Sequence, residues 1–205
     1  MLNEQGFDLW AEGYDRSVGL SDEENRYPFA GYREVLNRIA ATVLKTPNAV
    51  VLDLGFGTGV LTATLYEHGC TIFGQDFSER MIESAQEKMP NAKLFRGDFS
   101  QGLAAPLLMQ RYDCIVSTYA LHHLGDEQKV PFLNMLRTLL KPGGNILIGD
   151  VAFATRADWE ACRRQAGDEW DDEEFYFVAD ELQEAFPYLT FTPISFCAGV
   201  FTLSR

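Results

Sequence analysis

The sequence predicts a doubly wound α/β fold, and three observations carry that expectation. Short, nearly continuous apolar runs recur along the chain, amphipathic segments of helical period separate them, and the first run ends in the glycine-rich stretch VLDLGFGTG at 51–59. Strands alternating with helices require right-handed crossovers and hence a parallel sheet covered on both faces, whose strands read as apolar runs rather than as alternation. The first element is a helix over Tyr32 to Leu44, where Val35, Leu36, Ile39, Ala40 and Val43 share a face. Strands follow at Ala49 to Leu54, Thr71 to Gly74, Lys93 to Arg96, Tyr112 to Ser117 and Asn145 to Gly149. The intervening helices start near Val60, carry Met81, Ile82, Ala85 and Met89 on one face, and carry Phe132, Leu133, Leu136, Leu139 and Leu140 on another. Pro142-Gly143-Gly144 is expected to stop the last of these. Beyond Asp150, helices are expected near Arg156 to Gln165 and Ala179 to Phe186. Tyr188 to Ser195 and Gly199 to Ser204 then lie too close together for a crossover helix, so they form an antiparallel hairpin at the sheet edge.

Composition bounds the function. A chain of 205 residues fits a single domain that buries a full core, divided into a helical cap (1–46), a ligand-binding core (47–150) and C-terminal helices with the edge hairpin (151–205). No apolar run approaches the roughly 18 to 20 residues of a membrane span, and the acidic N-terminus lacks a signal-peptide layout, so the default location is cytoplasmic. The net charge of −13 argues against nucleic acid, because phosphate-backbone binding relies on lysine and arginine. Cys70, Cys114, Cys162 and Cys197 show no metal spacing and read as reduced, buried thiols. Nothing in the pattern specifies an oligomeric state.

The ligand is read from the loop after the first strand, where open α/β sheets bind. Gly55, Gly57 and Gly59 give G-x-G-x-G; Val60 stands where the dinucleotide fingerprint wants glycine, and no Gly-Lys-Ser/Thr follows for a P-loop. Asp53 beside the loop would repel a phosphate but suits an ammonium or a sulfonium. Asp76 closes the second strand, where a carboxylate can accept from ribose hydroxyls, and Asp98 ends the third in Arg96-Gly97-Asp98-Phe99, placed for an exocyclic amine. Each alone is also an ordinary turn or helix cap. Taken in order, with Phe77 and Phe99 beside two of them, they describe a site for a cationic nucleoside.

Through VLDLGFGTG, GQDFSERMIESAQEK, RGDF, YDCIVSTYALHHL and LKPGGNILIGD, the chain resembles the class I S-adenosylmethionine-dependent methyltransferases along nearly its whole length. FDLWAEGYDRSV and STYALHHLGDEQK narrow the resemblance to small bacterial methyltransferases of Bacillus-type organisms, which bring no known substrate. The resemblance implies a Rossmann-like, seven-stranded, mostly parallel sheet and S-adenosylmethionine as donor. It places Gly55, Gly57 and Gly59 under the methionine part, Asp53 at the amino group, Asp76 on the ribose, Phe77 over the adenine, and Asp98 with the Phe99 backbone at the adenine amine. Ser117 and Thr118 would face the amino-acid end of the donor, and Tyr14 would close over the methyl group or the carboxylate. Phe56 departs from the small residue or proline usual there, and its side chain is expected to point away from the ligand.

Methyl transfer from a sulfonium is an in-line displacement with an activated donor, so alignment matters most and a base is optional. His122 and His123 are the candidate bases, the bland alternative being a loop cap and a solvated ring; Tyr119 is either an acceptor-pocket residue or a core aromatic. A metal is not expected, since neighbouring helix residues diverge by about 100° and no third ligand stands at useful spacing. The acidic run at 168–174, interrupted by Trp170, reads as a solvated face or as a lid over a cationic acceptor. The expected activity is methylation of a small molecule. Alternatives are a non-catalytic S-adenosylmethionine-binding protein, a protein or RNA acceptor, and a nicotinamide oxidoreductase that Asp53 and Val60 disfavour. Ser117-Thr118-Tyr119-Ala120 also replaces the Asn-Pro-Pro-aromatic signature of nucleobase amine methylation.

Overall fold

Apolar residues on both faces of the central strands fit a parallel sheet sandwiched between helices. The computed structural model describes Glu23 and residues 25–205 and shows this arrangement. In chain order the elements are α1 (Tyr32–Val43), β1 (Val50–Leu54), α2 (Val60–Glu67), β2 (Thr71–Asp76), α3 (Glu79–Lys88), β3 (Lys93–Arg96), α4 (Ala105–Leu108), β4 (Tyr112–Thr118), α5 (Asp126–Thr138) and β5 (Leu140–Phe153). They continue with α6 (Arg156–Ala166), β6 (Phe177–Val178), α7 (Ala179–Ala185), β7 (Thr190–Pro193) and β8 (Ala198–Ser204). Short 3-10 turns lie at Phe99–Gln101, Leu121–His123 and Gly167–Glu169.

Seven strands run in the order β3-β2-β1-β4-β5-β8-β7, and two-residue β6 pairs off this path with β5. The pairings from β3 through β5 are parallel, whereas β8 runs antiparallel to both β5 and β7. Strand order reverses between β1 and β4, which opens the ligand crevice of this topology above their carboxyl ends. Alternation along β1 divides its side chains between two cores. Val51 joins Val35, Ile39, Leu65 and Met89 on one side of the sheet. Leu52 and Leu54 join Leu133, Leu136, Leu182 and Phe201 on the other. Helix α1 docks closely because Gly149 of β5 lacks a side chain; a Cβ there would collide with Val35 and Ile39.

Several element ends shift by a few residues, and two differences from the sequence expectation go further. Helix α5 ends at Thr138, so Leu139 and Leu140 lie outside it, and Pro142-Gly143-Gly144 sits inside β5 rather than between helix and strand. Leu140 already pairs with Tyr112, and a register shift between Tyr112 and Cys114 absorbs the extra residues before Asn145 pairs with Cys114. The loop chemistry of Pro-Gly-Gly is thus used as a bulge in a paired strand. The other difference is β6, too short to leave a pattern. It pairs with Ala152 and Phe153 beyond Asp150, where the sequence reading ends the core.

Candidate functional site

The floor of the crevice is the turn from β1 into α2. Gly55 has φ +70°, and a Cβ on it would collide with the Cβ of Ala120, so both backbone conformation and close approach select glycine. Gly57 has φ +55°, and no atom lies within 4 Å of where its Cβ would stand. This open cradle is the space a ligand can enter. Gly59 caps α2, and Phe56, 6% exposed, turns into the core, where a Cβ on Gly74 would meet its Cδ1 at 2.6 Å. Gly55→Ala should therefore push the β1 turn off Ala120 and weaken S-adenosylhomocysteine binding at least tenfold, with about 1–3 kcal/mol of overpacking and left-handed strain. Calorimetry and denaturant melts would measure the two effects separately.

The three carboxylates stand at three strand ends but in different environments. Asp53 is buried, and its Oδ2 accepts a short hydrogen bond from Thr62 Oγ1, the first turn of α2 being folded over it. Its Oδ1 is buried with no hydrogen-bond partner among the described residues. Burial pushes the carboxyl up to about 7, the Thr62 hydroxyl opposes this, and the charge of Asp76 reinforces it. A half-satisfied carboxylate in low dielectric is an incomplete ion pair, and an ammonium is the group that completes it. Asp76 accepts from Gly57 N at 2.8 Å and Ser78 N at 3.0 Å, holding the glycine turn against β2. Asp98 is exposed and caps its 3-10 turn by accepting from Ser100 N at 2.8 Å. A carboxylate offers about four lone-pair sites. Phe77 is half-buried, and Phe99 is buried with its ring 5.9 Å from that of Phe132.

The opposite wall rises from the end of β4. Ser117 Oγ donates to Leu54 O at 2.7 Å, so this hydroxyl stitches β4 to β1. Thr118, half-buried, pairs with Gly149. Tyr119 takes the left-handed conformation at φ 49°, its amide donates to Gly149 O at 2.8 Å, and its buried ring lies 5.4 Å from Phe29 and 5.1 Å from Tyr32. Tyr14 lies outside the described residues. His122 is buried with Nδ1 2.6 Å from Asp150 Oδ1 and Nε2 3.5 Å from Glu174 Oε1. Burial works against its imidazolium, but the Asp150 carboxylate, with help from Glu174, outweighs burial and holds its pKa above the ordinary value. His123, its ring centroid 4.3 Å from that of His122, is depressed to about 4 by burial and by its neighbour.

Asp150 and Glu174 escaped the sequence reading as individual site residues. Asp150 directly follows the apolar run Asn145 to Gly149, much as Asp53 and Asp76 stand near the ends of theirs, and that repetition was the available signal. Glu174 was hidden among five other carboxylates at 168–174. Asp168, Glu169, Asp171, Asp172 and Glu173 are exposed, and Glu174 alone of the acidic residues turns inward, with a side chain 23% exposed. Behind it the aromatic residues pack together: Tyr27 bonds Tyr176 hydroxyl to hydroxyl, and Trp170 stacks on Tyr27 at 5.3 Å.

A doubly wound sheet with a glycine cradle at its switch point and carboxylates at successive strand ends is the Rossmann-like methyltransferase architecture. The family model described as a methyltransferase domain matches residues 51–144. An uncharacterized methyltransferase of Geobacillus kaustophilus is 40% identical over 197 residues, covering 96% of this chain and 85% of that protein. Another, of Anoxybacillus flavithermus, is 39% identical over 180 residues, covering 88% and 80% respectively. The chain belongs to this family of methyltransferases. In shape it is similar to magnesium protoporphyrin IX methyltransferase from Synechocystis with bound SAH, with TM-score 0.70, 16% identity, and coverage of 99% of this chain and 100% of that one. It is similar also to DesVI of Streptomyces venezuelae, with TM-score 0.68, 18% identity, and coverage of 95% and 98%. Among the described residues no helix is long and apolar enough to cross a membrane.

Proposed function

We propose that the protein is a cytoplasmic methyltransferase, acting as a single domain, that uses S-adenosylmethionine to methylate a small molecule. The observation that carries the donor assignment is Asp53, whose buried Oδ1 lacks a partner beside the open cradle at Gly57. S-adenosylmethionine supplies a methyl group on a sulfonium, activated for in-line displacement. Asp53 receives the amino group of the donor, Asp76 accepts from its ribose hydroxyls, and Asp98 takes the adenine amine beside Phe99. Phe77 covers the adenine, and the Ser117–Thr118 backbone borders the amino-acid end. On the far side Tyr119, His122 and His123 border the acceptor, and the low pKa of His123 keeps that ring neutral at physiological pH. The protein's contribution is mainly to hold the nucleophile in line and keep water out. The acidic surface supports a small acceptor over a polyanion.

Calorimetric titration of the full chain with S-adenosylmethionine and S-adenosylhomocysteine tests the donor, and binding of one molecule of either per chain is the expected result. Failure to bind both would end the proposal. Turnover of the donor with fractionated metabolites then separates a small-molecule enzyme from a protein that only binds the donor.

A further inference from the structure

The acidic segment meets the histidine turn through two backbone bonds. Phe175 N donates to His122 O at 2.8 Å, and Phe175 O accepts from Nζ of buried Lys129, which also grips Asp126 Oδ1 at 2.7 Å. These bonds fasten residues 174–175 to the turn Leu121–His123 and bring Glu174 against the imidazoles. One donor atom from each of His122, His123 and Glu174 lies within 4.8 Å of the other two.

Two features of this cluster call for a cation. A neutral imidazole carries one N–H. With that proton at Nδ1, 2.6 Å from Asp150 Oδ1, His122 Nε2 presents a lone pair to Glu174 Oε1 only 3.5 Å away. Two acceptors then face one another and need positive charge between them. The separation is also that of two ligands on one ion, since tetrahedral zinc with bonds of about 2.1 Å spaces them roughly 3.4 Å apart. Asp150 completes the pattern, because a metal-binding histidine almost always gives its other N–H to a carboxylate, which orients the ring. A proton on His122 would satisfy Glu174 as well, and the metal titration separates the two, since protonation alone gives no metal binding.

We propose that His122 Nε2, the His123 imidazole and the Glu174 carboxylate form a three-ligand site for a divalent first-row transition metal, zinc foremost, with Asp150 as the orienting partner. Two imidazoles and one carboxylate with a position left open is a ligand set zinc uses in catalytic sites. Resting on the methyltransferase reading, the open position takes a hydroxyl oxygen or thiol sulfur of the acceptor. The metal then lowers the pKa of that group, so the proton leaves to solvent before methyl transfer and no side-chain base is needed.

Chelator-treated full chain would be titrated with Zn²⁺ against a chromophoric competitor and with Co²⁺ by visible absorption, S-adenosylhomocysteine binding being measured in parallel. The expected result is one metal per chain, a Co²⁺ spectrum of low coordination number, and metal affinity reduced about 100-fold by Glu174→Gln and 10- to 100-fold by Asp150→Asn. Both variants should bind S-adenosylhomocysteine like the wild type. Absence of binding by wild-type protein at sub-millimolar Zn²⁺ would overturn the metal site, as would equal affinity in Glu174→Gln. Wild type and Glu174→Asp, which keeps the charge and shortens the reach, decide the question by their Co²⁺ spectra if Glu174→Gln does not fold; identical spectra count against the site. Failure to bind S-adenosylhomocysteine with the metal bound would instead overturn the donor assignment alone.

Discussion

Affinity for S-adenosylmethionine should fall about tenfold for each pH unit below about 7, because the ammonium of the donor requires the ionised form of Asp53. Burial pushes this carboxyl from 3.8 up to about 7 in the ligand-free protein, so at pH 6 most molecules carry it protonated. The bound ammonium pulls the pKa down again, and the dependence flattens once pH falls below the value in the complex. The same group sets the pH dependence of stability without ligand. A native pKa raised above the unfolded value contributes stability that is complete below about 4 and is lost as pH rises through about 7. Asp53→Asn, which still offers an oxygen to Thr62 Oγ1, removes this loss. At pH 8 the ligand-free variant should be more stable than the wild type by up to about 4 kcal/mol, while binding the donor about 100-fold more weakly. Calorimetry from pH 5.5 to 8 and urea melts at pH 5 and 8 measure both effects. A pH-independent donor affinity would show that Asp53 does not meet the ammonium.

Asp150→Asn should lower kcat about 100-fold and leave the affinity for S-adenosylhomocysteine unchanged. Asp150 is fully buried, accepts from Val151 N at 2.8 Å, and faces His122 Nδ1 with the same oxygen. Asparagine fills the same volume and can keep an oxygen toward Val151 N, but it removes the charge that orients the imidazole. Its amide nitrogen would then occupy the place of Oδ2, which has no partner among the described residues, at a cost of about 1–3 kcal/mol. Single-turnover rates, with donor affinity measured beside them, separate the two consequences. Full activity in a folded Asp150→Asn protein would remove the His122–Asp150 pair from the reaction.

The parts of the molecule legible in the sequence are those dictated by local chemistry. Lys93 to Arg96 is a strand as expected, and β7 and β8 pair antiparallel where the short spacing left no room for a crossover. Doubly covered strands must be apolar throughout, and that pattern survives in any register. The β1 turn was legible because a tight strand-to-helix turn with positive φ needs glycine, and Gly55, Gly57 and Gly59 stand together directly after an apolar strand. The end of α5 was not, because Pro142-Gly143-Gly144 has the composition of a stop and acts as a strand bulge only through its pairing with β4. Glu174 was invisible for a related reason: what separates it from the carboxylates around it is the pair of backbone bonds at Phe175, and these depend on Lys129 and His122, remote in sequence. The approach of Glu174 to His122 and His123 was not legible for the same reason, because this carboxylate is remote from the two histidines in sequence and is brought beside them by the fold. The open Oδ1 of Asp53 likewise follows from where α2 lands, although the aspartate itself was identified.

The fastening of Phe175 divides the crevice into two halves of different durability. The glycine turn that floors the crevice is tied to β2 beside the central β1–β2 pairing, Gly55 N donating to Gln75 O and Gly57 N to Asp76 Oδ2. The Glu174 side of the acceptor wall hangs on the His122 carbonyl and the Lys129 ammonium, next to an exposed acidic stretch. Releasing those two bonds would withdraw Glu174 from the histidines while the cradle at Gly57 stayed intact. On the proposed placement of donor and acceptor, retention of the one and engagement of the other would have separate free energies of opening.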